Sequence, residues 1–336
     1  MTHELKRIVK AFEEANGNKK KTVLATVVHV DGSSYRKPGV QMLIEEDGTM
    51  TGAVSGGCVE KEVNRQAQEV FLTGIPKIMT YDGRYRLGCE GILYILIEPF
   101  MPDDIWIGEF WKTISERKSM GFNCYYQLKE GTHHSYGSTL RFPFGDRELR
   151  PGFAVSESLE HFEFALKPCF KLLIVGTEHD AVKLCAFASL MGWEVTVVAA
   201  PSEQKSVRDF QGAGQFLNTV PEEFKTDAID SETAVILMTH NFAKDLAYLL
   251  ALKDTKPAYL GLLGPANRRE KLMEALIERY PEVSESYLDR ICGPAGLNIG
   301  SETPEEISVS ILSEILAVVR KKDPILLKNK KGTIHS

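Results

Sequence analysis

No two of the six cysteines stand in a C-x-x-C pair, and their scatter argues against a disulfide framework and against a structural zinc site. That usage fits a reduced, cytoplasmic setting. H-E-x-x-H does not occur, and the one H-x-E, His161-Phe162-Glu163, has no C-x-x-C to complete it, so the sequence offers no zinc-hydrolase signature. No apolar run is long enough to span a bilayer, and a membrane-spanning class is not expected. The chain also lacks a basic excess: 40 Lys and Arg face 46 Asp and Glu, a net charge of −6, which argues against nucleic acid as a partner. Internal repeats and low-complexity tracts are missing as well. The first residues, MTHELKRIVKAFEEANG, carry a helical period ending near Gly17 where a signal peptide would carry an apolar block.

What is present is 336 residues of ordinary globular composition, enough for two domains with their own cores. TVLATVVHV (Thr22 to Val30) is a β-branched run and reads as a strand. Val40 to Val54 reads as a hairpin folded at Asp47-Gly48. Pro76 to Tyr81 and Gly91 to Glu98 read as further strands, followed by a helix near Ile105 to Arg117 and several short strands. From Lys171 the pattern changes to strand–helix alternation. LLIVG, EVTVV, AVILMTH and AYLGLLG are short apolar strands with helices between, the signature of a doubly wound parallel sheet. Thr303, Pro304 and Glu306 mark the start of a last helix as N-cap, N1 and N3 of a capping box. The expected organisation is an N-terminal α+β domain over 1–167, a C-terminal Rossmann-like domain over 168–322 and a basic tail over 323–336.

Two cysteines lie in glycine-rich turns: Cys58 in GAVSGGCVE and Cys89 in RLGCEG. Glycine lets backbone turn sharply and approach a ligand closely. Val59 to Phe71 reads as a helix just after Cys58, and a helix N-terminus favours thiolate over thiol. Gly56, Gly57 and Cys58 are therefore candidates for holding an anion beside a soft sulfur, with Arg36 of SSYRKPG within reach; plain surface charge is the alternative for Arg36. Cys124, Cys169, Cys185 and Cys292 read as small buried hydrophobes.

In the second domain the stretch Gly176-Thr177-Glu178-His179-Asp180-Ala181 meets G-x-G-x-x-G/A at its first and last positions only. Glu178 brings bulk and like charge to the pyrophosphate position. The next strand ends Val198-Ala199-Ala200, without the acid that holds a ribose. Both departures predict weak binding of NAD or NADP. The carboxyl ends of the strands nominate Gly176, Asp180, His240 and Gly264 as ligand-facing, and Arg268, in the first turn after Pro265, as an anion contact.

Taken together, ATVVHVDGSSYRKPGVQML, GAVSGGCVE, LGCEG, GWEVTVV, MTHNF, AYLGLLGPANRREKL and GPAGLNIGSETPEEISVSILSEILAVVR resemble the XdhC/CoxI family of xanthine dehydrogenase accessory proteins. The resemblance covers most of the chain. It implies binding of molybdenum cofactor, a phosphorylated pterin dithiolene, support of its sulfuration, and delivery to a xanthine dehydrogenase-type apoenzyme. It also implies a cysteine desulfurase-type sulfur donor, a homodimer, and contact between Cys58 and the molybdenum of the bound cofactor. Three departures stand out: Glu178 where the family has a small residue, no acid near Ala199, and Glu90 where glycine usually follows Cys89. Glu90 opposes a Cys89 thiolate by like charge. The alternatives are an NAD(P)-dependent Rossmann oxidoreductase, which Glu178 and Ala199 argue against, and a protein-binding scaffold without cofactor.

Overall fold

The run Thr22–Asp31 forms the central strand β1 and is buried almost throughout, because both faces of its sheet are covered. The computed structural model describes residues 1–32, 37–57, 59–83 and 91–330. The chain divides into two compact units, Met1–Pro168 and Cys169–Ser336.

In the first unit, helix α1 (Thr2–Gly17) precedes β1. β2 (Gln41–Glu45) and β3 (Met50–Gly52) follow as the expected hairpin, then α2 (Glu60–Thr73), β4 (Lys77–Asp82), β5 (Ile92–Pro99) and α3 (Asp104–Ser115). Five strands complete the unit: β6 (Met120–Tyr126), β7 (Gly131–Thr132), β8 (Gly137–Phe142), β9 (Gly145–Glu148) and β10 (Glu160–Leu166). One sheet runs β3-β2-β1-β5-β4-β7 and a second β10-β6-β8-β9. Alternation along β1 divides its side chains. Val23, Ala25 and Val27 pack with Val63, Ala67 and Val70 of α2. Leu24 and Val28 pack on the opposite face with α1, α3 and the second sheet.

A buried carboxylate joins the two sheets of this unit. Glu98 on β5 is fully buried and accepts from the Ser138 backbone N–H at 3.0 Å and from its hydroxyl at 2.5 Å. Burial pushes its pKa up to about 7, against the opposing pull of Ser138 and Arg150.

In the second unit β11 (Lys171–Val175) leads to α4 (His179–Leu190), β12 (Glu194–Ala199), β13 (Ala213–Asn218) and β14 (Thr233–Leu237). α5 (Phe242–Leu252), β15 (Tyr259–Leu262), α6 (Ala266–Arg279), α7 (Glu285–Leu288), β16 (Ile291–Cys292) and α8 (Pro304–Arg320) complete it. The sheet order is β13-β12-β11-β14-β15-β16, all parallel. This is the 3-2-1-4-5-6 arrangement of dinucleotide-binding sheets, whose order reverses between β11 and β14. The expected Rossmann-like fold is borne out, and the capping box of α8 is present with Thr303 and Glu306 satisfying each other's backbone N–H groups.

One expectation is corrected. Among the described residues no α-helix lies between β12 and β14; the chain makes the edge strand β13 and two 3-10 turns, Val207–Asp209 and Pro221–Glu223. Pro201, Gly212, Gly214 and Pro221 interrupt any helical run there. Gly212 is at φ +84, where a Cβ would stand 2.1 Å from the Ser189 hydroxyl. β13 carries no sequence signal because, half exposed at the sheet edge, it has no apolar run.

Glu98 generates a pH prediction. The folded chain holds this proton until about pH 7, the unfolded chain only to the ordinary value of 4.5. The stabilising contribution is therefore complete below pH 4.5 and lost as pH rises through 7, a change on the order of 3 kcal/mol. Urea unfolding of wild type and Glu98→Gln at about pH 5 and pH 8 checks this. Wild type should lose more stability between the two than the variant, and equal losses would contradict it.

Candidate functional site

In the first unit the turn after β3 is built around Glu60. Its carboxylate accepts from the Ser55 N–H and the Ser55 hydroxyl, both at 2.7 Å. Ser55 Oγ in turn accepts from the N–H groups of Gly57 at 3.2 Å and Val59 at 3.4 Å. Burial opposes ionisation of Glu60, but the Ser55 hydroxyl and the backbone N–H groups hold its pKa below the ordinary value. The N–H groups on either side of position 58 are thus tied to one hydroxyl, and Gly57 stands at φ +123. α2 begins at Glu60 with Val59 as N-cap. Arg36, Cys58, Cys89 and Glu90 lie outside the described residues. Of the cysteines described, Cys124, Cys169 and Cys185 are buried and Cys292 is half-buried. Burial pushes Cys185 and Cys292 each up to about 11, far from a reactive thiolate.

In the second unit a cavity of 340 Å³ opens beyond the carboxyl ends of β11, β12 and β13. Gly176, Glu178, Val198, Glu203, Val220, Pro221 and Tyr248 are among its lining residues. Gly176 is at φ +135, and a Cβ there would sit 2.3 Å from the Met238 carbonyl oxygen, so the close approach of the chain leaving β14 admits only glycine. Glu178 is the N-cap of α4 without a side-chain capping bond and is exposed at the cavity.

The absence of an acid near Ala199 is revised by the structure. β12 ends at Ala199, and a turn closed by the Glu203 N–H on the Ala200 carbonyl at 2.9 Å brings Glu203 back into the same cavity. Its carboxylate accepts from the Thr177 hydroxyl and from the N–H groups of Gln204 at 2.9 Å and Lys205 at 3.0 Å. The Thr177 bond foremost, and the Lys205 N–H next, hold its pKa below the usual value. Sequence reasoning places the acid at the strand's last residue and so misses it. The available signal is Pro201, a residue favoured at the second position of a turn that reverses the chain.

The remaining candidates fall into two pairs. Asp180 and His240 meet across the sheet's reversal point, Oδ2 and Nε2 3.7 Å apart, an ion pair when the imidazole is protonated. His240 is held at φ +54, uncommon for a non-glycine residue and frequent at ligand clamps. Gly264 and Arg268 pack on one another: a Cβ on Gly264, at φ +122, would lie 2.7 Å from Arg268 Cδ. The Arg268 guanidinium is turned to Asp245, 2.7 Å away and 1% exposed, and Arg269 donates to the Ile291 carbonyl. Both first-turn arginines of α6 thus have partners within the fold. Asp245, which sequence reasoning does not single out, also accepts from the Thr239 hydroxyl at 2.6 Å. Among the described residues no group of three or more His, Cys, Asp and Glu is placed to hold a metal ion. No described helix is long and apolar enough to cross a membrane.

A sheet of this order, with its cavity beyond the strand ends, defines a Rossmann-type unit joined in one chain to an α+β unit. The family model described as the XdhC Rossmann domain matches residues 172–315, and that of the XdhC and CoxI family matches 17–82. The chain belongs to the XdhC/CoxI family. It is 27% identical over 320 residues to a probable xanthine dehydrogenase subunit of Bacillus subtilis (strain 168), covering 89% of this chain and 93% of that one. It is 25% identical over 323 residues to the molybdenum cofactor insertion chaperone PaoD of Escherichia coli (strain K12), covering 95% and 90%. The crystal structure of a xanthine dehydrogenase from Bacillus halodurans superposes with a TM-score of 0.76 at 26% identity, covering 96% of this chain and 98% of that one.

Two substitutions test the cavity. Gly176→Ala adds a Cβ against backbone and should destabilise the second unit by roughly 2–4 kcal/mol, read by thermal or urea unfolding. Glu178→Gly removes bulk and charge at the phosphate position at little cost to the N-cap. It should tighten ADP-ribose or NAD binding by about tenfold in titration calorimetry; an unchanged dissociation constant would show that Glu178 does not oppose the pyrophosphate.

Proposed function

We propose that this protein binds molybdenum cofactor as cargo and serves its maturation and insertion into a xanthine dehydrogenase-type apoenzyme. The observation that carries the reading is near-full-length similarity to a molybdenum cofactor insertion chaperone and to a probable xanthine dehydrogenase subunit, within one family. The glycine-rich turn of the first unit supports it. Glu60 and Ser55 fix the shape of this loop, and Cys58 is next in sequence to its Gly57. A thiolate is a ligand of matching softness for molybdenum and sulfur. Arg36 and Cys89 are proposed cargo contacts from the same family motifs, as are Gly56 and Gly57. Support of sulfuration by a cysteine desulfurase-type donor, a homodimeric assembly and a cytoplasmic location belong to the same proposal. The chain acts as a maturation factor and does not itself oxidise xanthine. Its cysteines, at 58, 89, 124, 169, 185 and 292, nowhere match the spacing of iron–sulfur ligation.

Protein purified from cells that make the cofactor should carry a molybdenum pterin detectable by mass spectrometry. Cys58→Ser should melt at the wild-type temperature and lose most of that cargo, together with the ability to activate cofactor-free client. Undiminished cargo in the variant would remove Cys58 from the site, and repeated absence of cargo from wild type would support a scaffold instead.

A further inference from the structure

The cavity beyond β11, β12 and β13 has features that cargo handling at the first unit leaves unexplained. It lies on the side of the reversal point where dinucleotide-binding sheets hold a nucleoside, and it contains a fixed carboxylate where such sheets hold a ribose. Val220 and Pro221, backed by the buried Val198 and Tyr248, give it an apolar patch among polar lining residues such as Thr177, Ser202, Gln204 and Thr219. Its 340 Å³ is at the small end of ligand pockets, which run from about 300 to 1,000 Å³. Glu178 stands where a pyrophosphate would otherwise meet the start of α4.

We infer that this cavity is a ribonucleoside site in which Glu203 accepts a hydrogen bond from the sugar 2′-hydroxyl and the apolar patch at Val220 and Pro221 meets the base. The inference goes beyond the cargo proposal and does not rest on it. An ionised carboxylate offers about four acceptor positions. Three on Glu203 are taken, by the Thr177 hydroxyl on Oε2 and by the Gln204 and Lys205 N–H groups on Oε1. The fourth, on Oε2, is left for a ligand hydroxyl. The three bonds orient the carboxylate before any ligand arrives, so little ordering accompanies binding. The same carboxylate repels a 2′-phosphate. Glu178 disfavours a 5′-pyrophosphate, so the site prefers the neutral nucleoside portion of a ligand to a dinucleotide. Lys244, exposed at the rim, is a cation near enough to the cavity for a single phosphate.

The test is titration calorimetry at fixed ionic strength with adenosine and cytidine, their 2′-deoxy counterparts, and 2′-AMP. At least one ribonucleoside should bind. Its 2′-deoxy form should bind roughly ten- to a hundred-fold more weakly, the effect of withdrawing a hydrogen bond to a charged group. 2′-AMP should bind more weakly than adenosine. In Glu203→Gln, with folding checked by circular dichroism, the ratio between ribose and deoxyribose forms should shrink toward one. Equal affinity of ribose and deoxyribose forms for wild type would overturn the inference without any variant. So would the lack of measurable binding at millimolar nucleoside. Either result, in protein that still carries a molybdenum pterin, would leave the cargo proposal standing.

Discussion

The buried carboxylate of Asp245 organises the functional edge of the second unit. It sits in the first turn of α5, 1% exposed, and binds the Thr239 hydroxyl just past β14 and the Arg268 guanidinium in the first turn of α6. A buried charge is tolerable only when it is paired and hydrogen-bonded, and breaking such a pair typically costs about 3–5 kcal/mol. The consequences spread along the edge. Gly264 must lack a side chain so that Arg268 can lie across it. Thr239 is fixed, so His240 is carried into its left-handed conformation and placed opposite Asp180. The Arg268 charge is also neutralised within the fold, which removes it from the set of free cations an anionic ligand would recruit.

That pairing changes the electrostatic character of the crevice. In a dinucleotide-binding sheet the helix start beyond the first strand is left open to phosphate. Here Glu178 and Glu203 line the cavity, and the Arg268 guanidinium is bound to Asp245. The fold of a dinucleotide site is retained, with the carboxylates of Glu178 and Glu203 and the ammonium of Lys244 lining its cavity. Glycine at 176 survives for a reason separate from phosphate: the Met238 carbonyl occupies the space a side chain would need. A glycine at the first fingerprint position therefore reports close packing of β11 against the exit of β14, and only its companions report the ligand.

Much of this is legible in the residues. The change from hairpin patterning to short apolar strands near Lys171 marks the two kinds of architecture, and the strands β11, β12, β14 and β15 are apolar because both faces of a parallel sheet are covered. Thr303-Pro304-x-Glu306 announces α8 through local chemistry alone. What escapes depends on contacts distant in sequence. β13 is half exposed and β16 is two residues long, so neither has a periodic signal; each exists because a neighbouring strand offers unpaired backbone. Asp245 and Arg268 lie 23 residues apart; the sequence nominates Arg268 as an anion contact and does not single out Asp245, so their pairing is not legible. Glu203 escapes because a ribose-holding acid is expected at the strand end, whereas the turn from Ala200 folds this one back from beyond it.

The first unit repeats the same logic on a smaller scale. In GAVSGGCVE the glycines and the cysteine attract attention, yet the residues that set the loop's shape are Ser55 and Glu60, which read in sequence as ordinary polar residues. The Ser55 hydroxyl donates to Glu60 and accepts from Gly57 and Val59, so one oxygen spans the loop. Two N–H groups are consumed in that span, and those not so engaged are what a ligand can use. In both units, then, acidic residues bonded to hydroxyl groups hold the glycine turns in place. A motif rich in glycine supplies only the freedom to bend; the direction of the bend comes from a carboxylate elsewhere in the chain, Glu60 acting on the turn at Gly57 in one unit and Glu203 on the turn at Gly176 in the other.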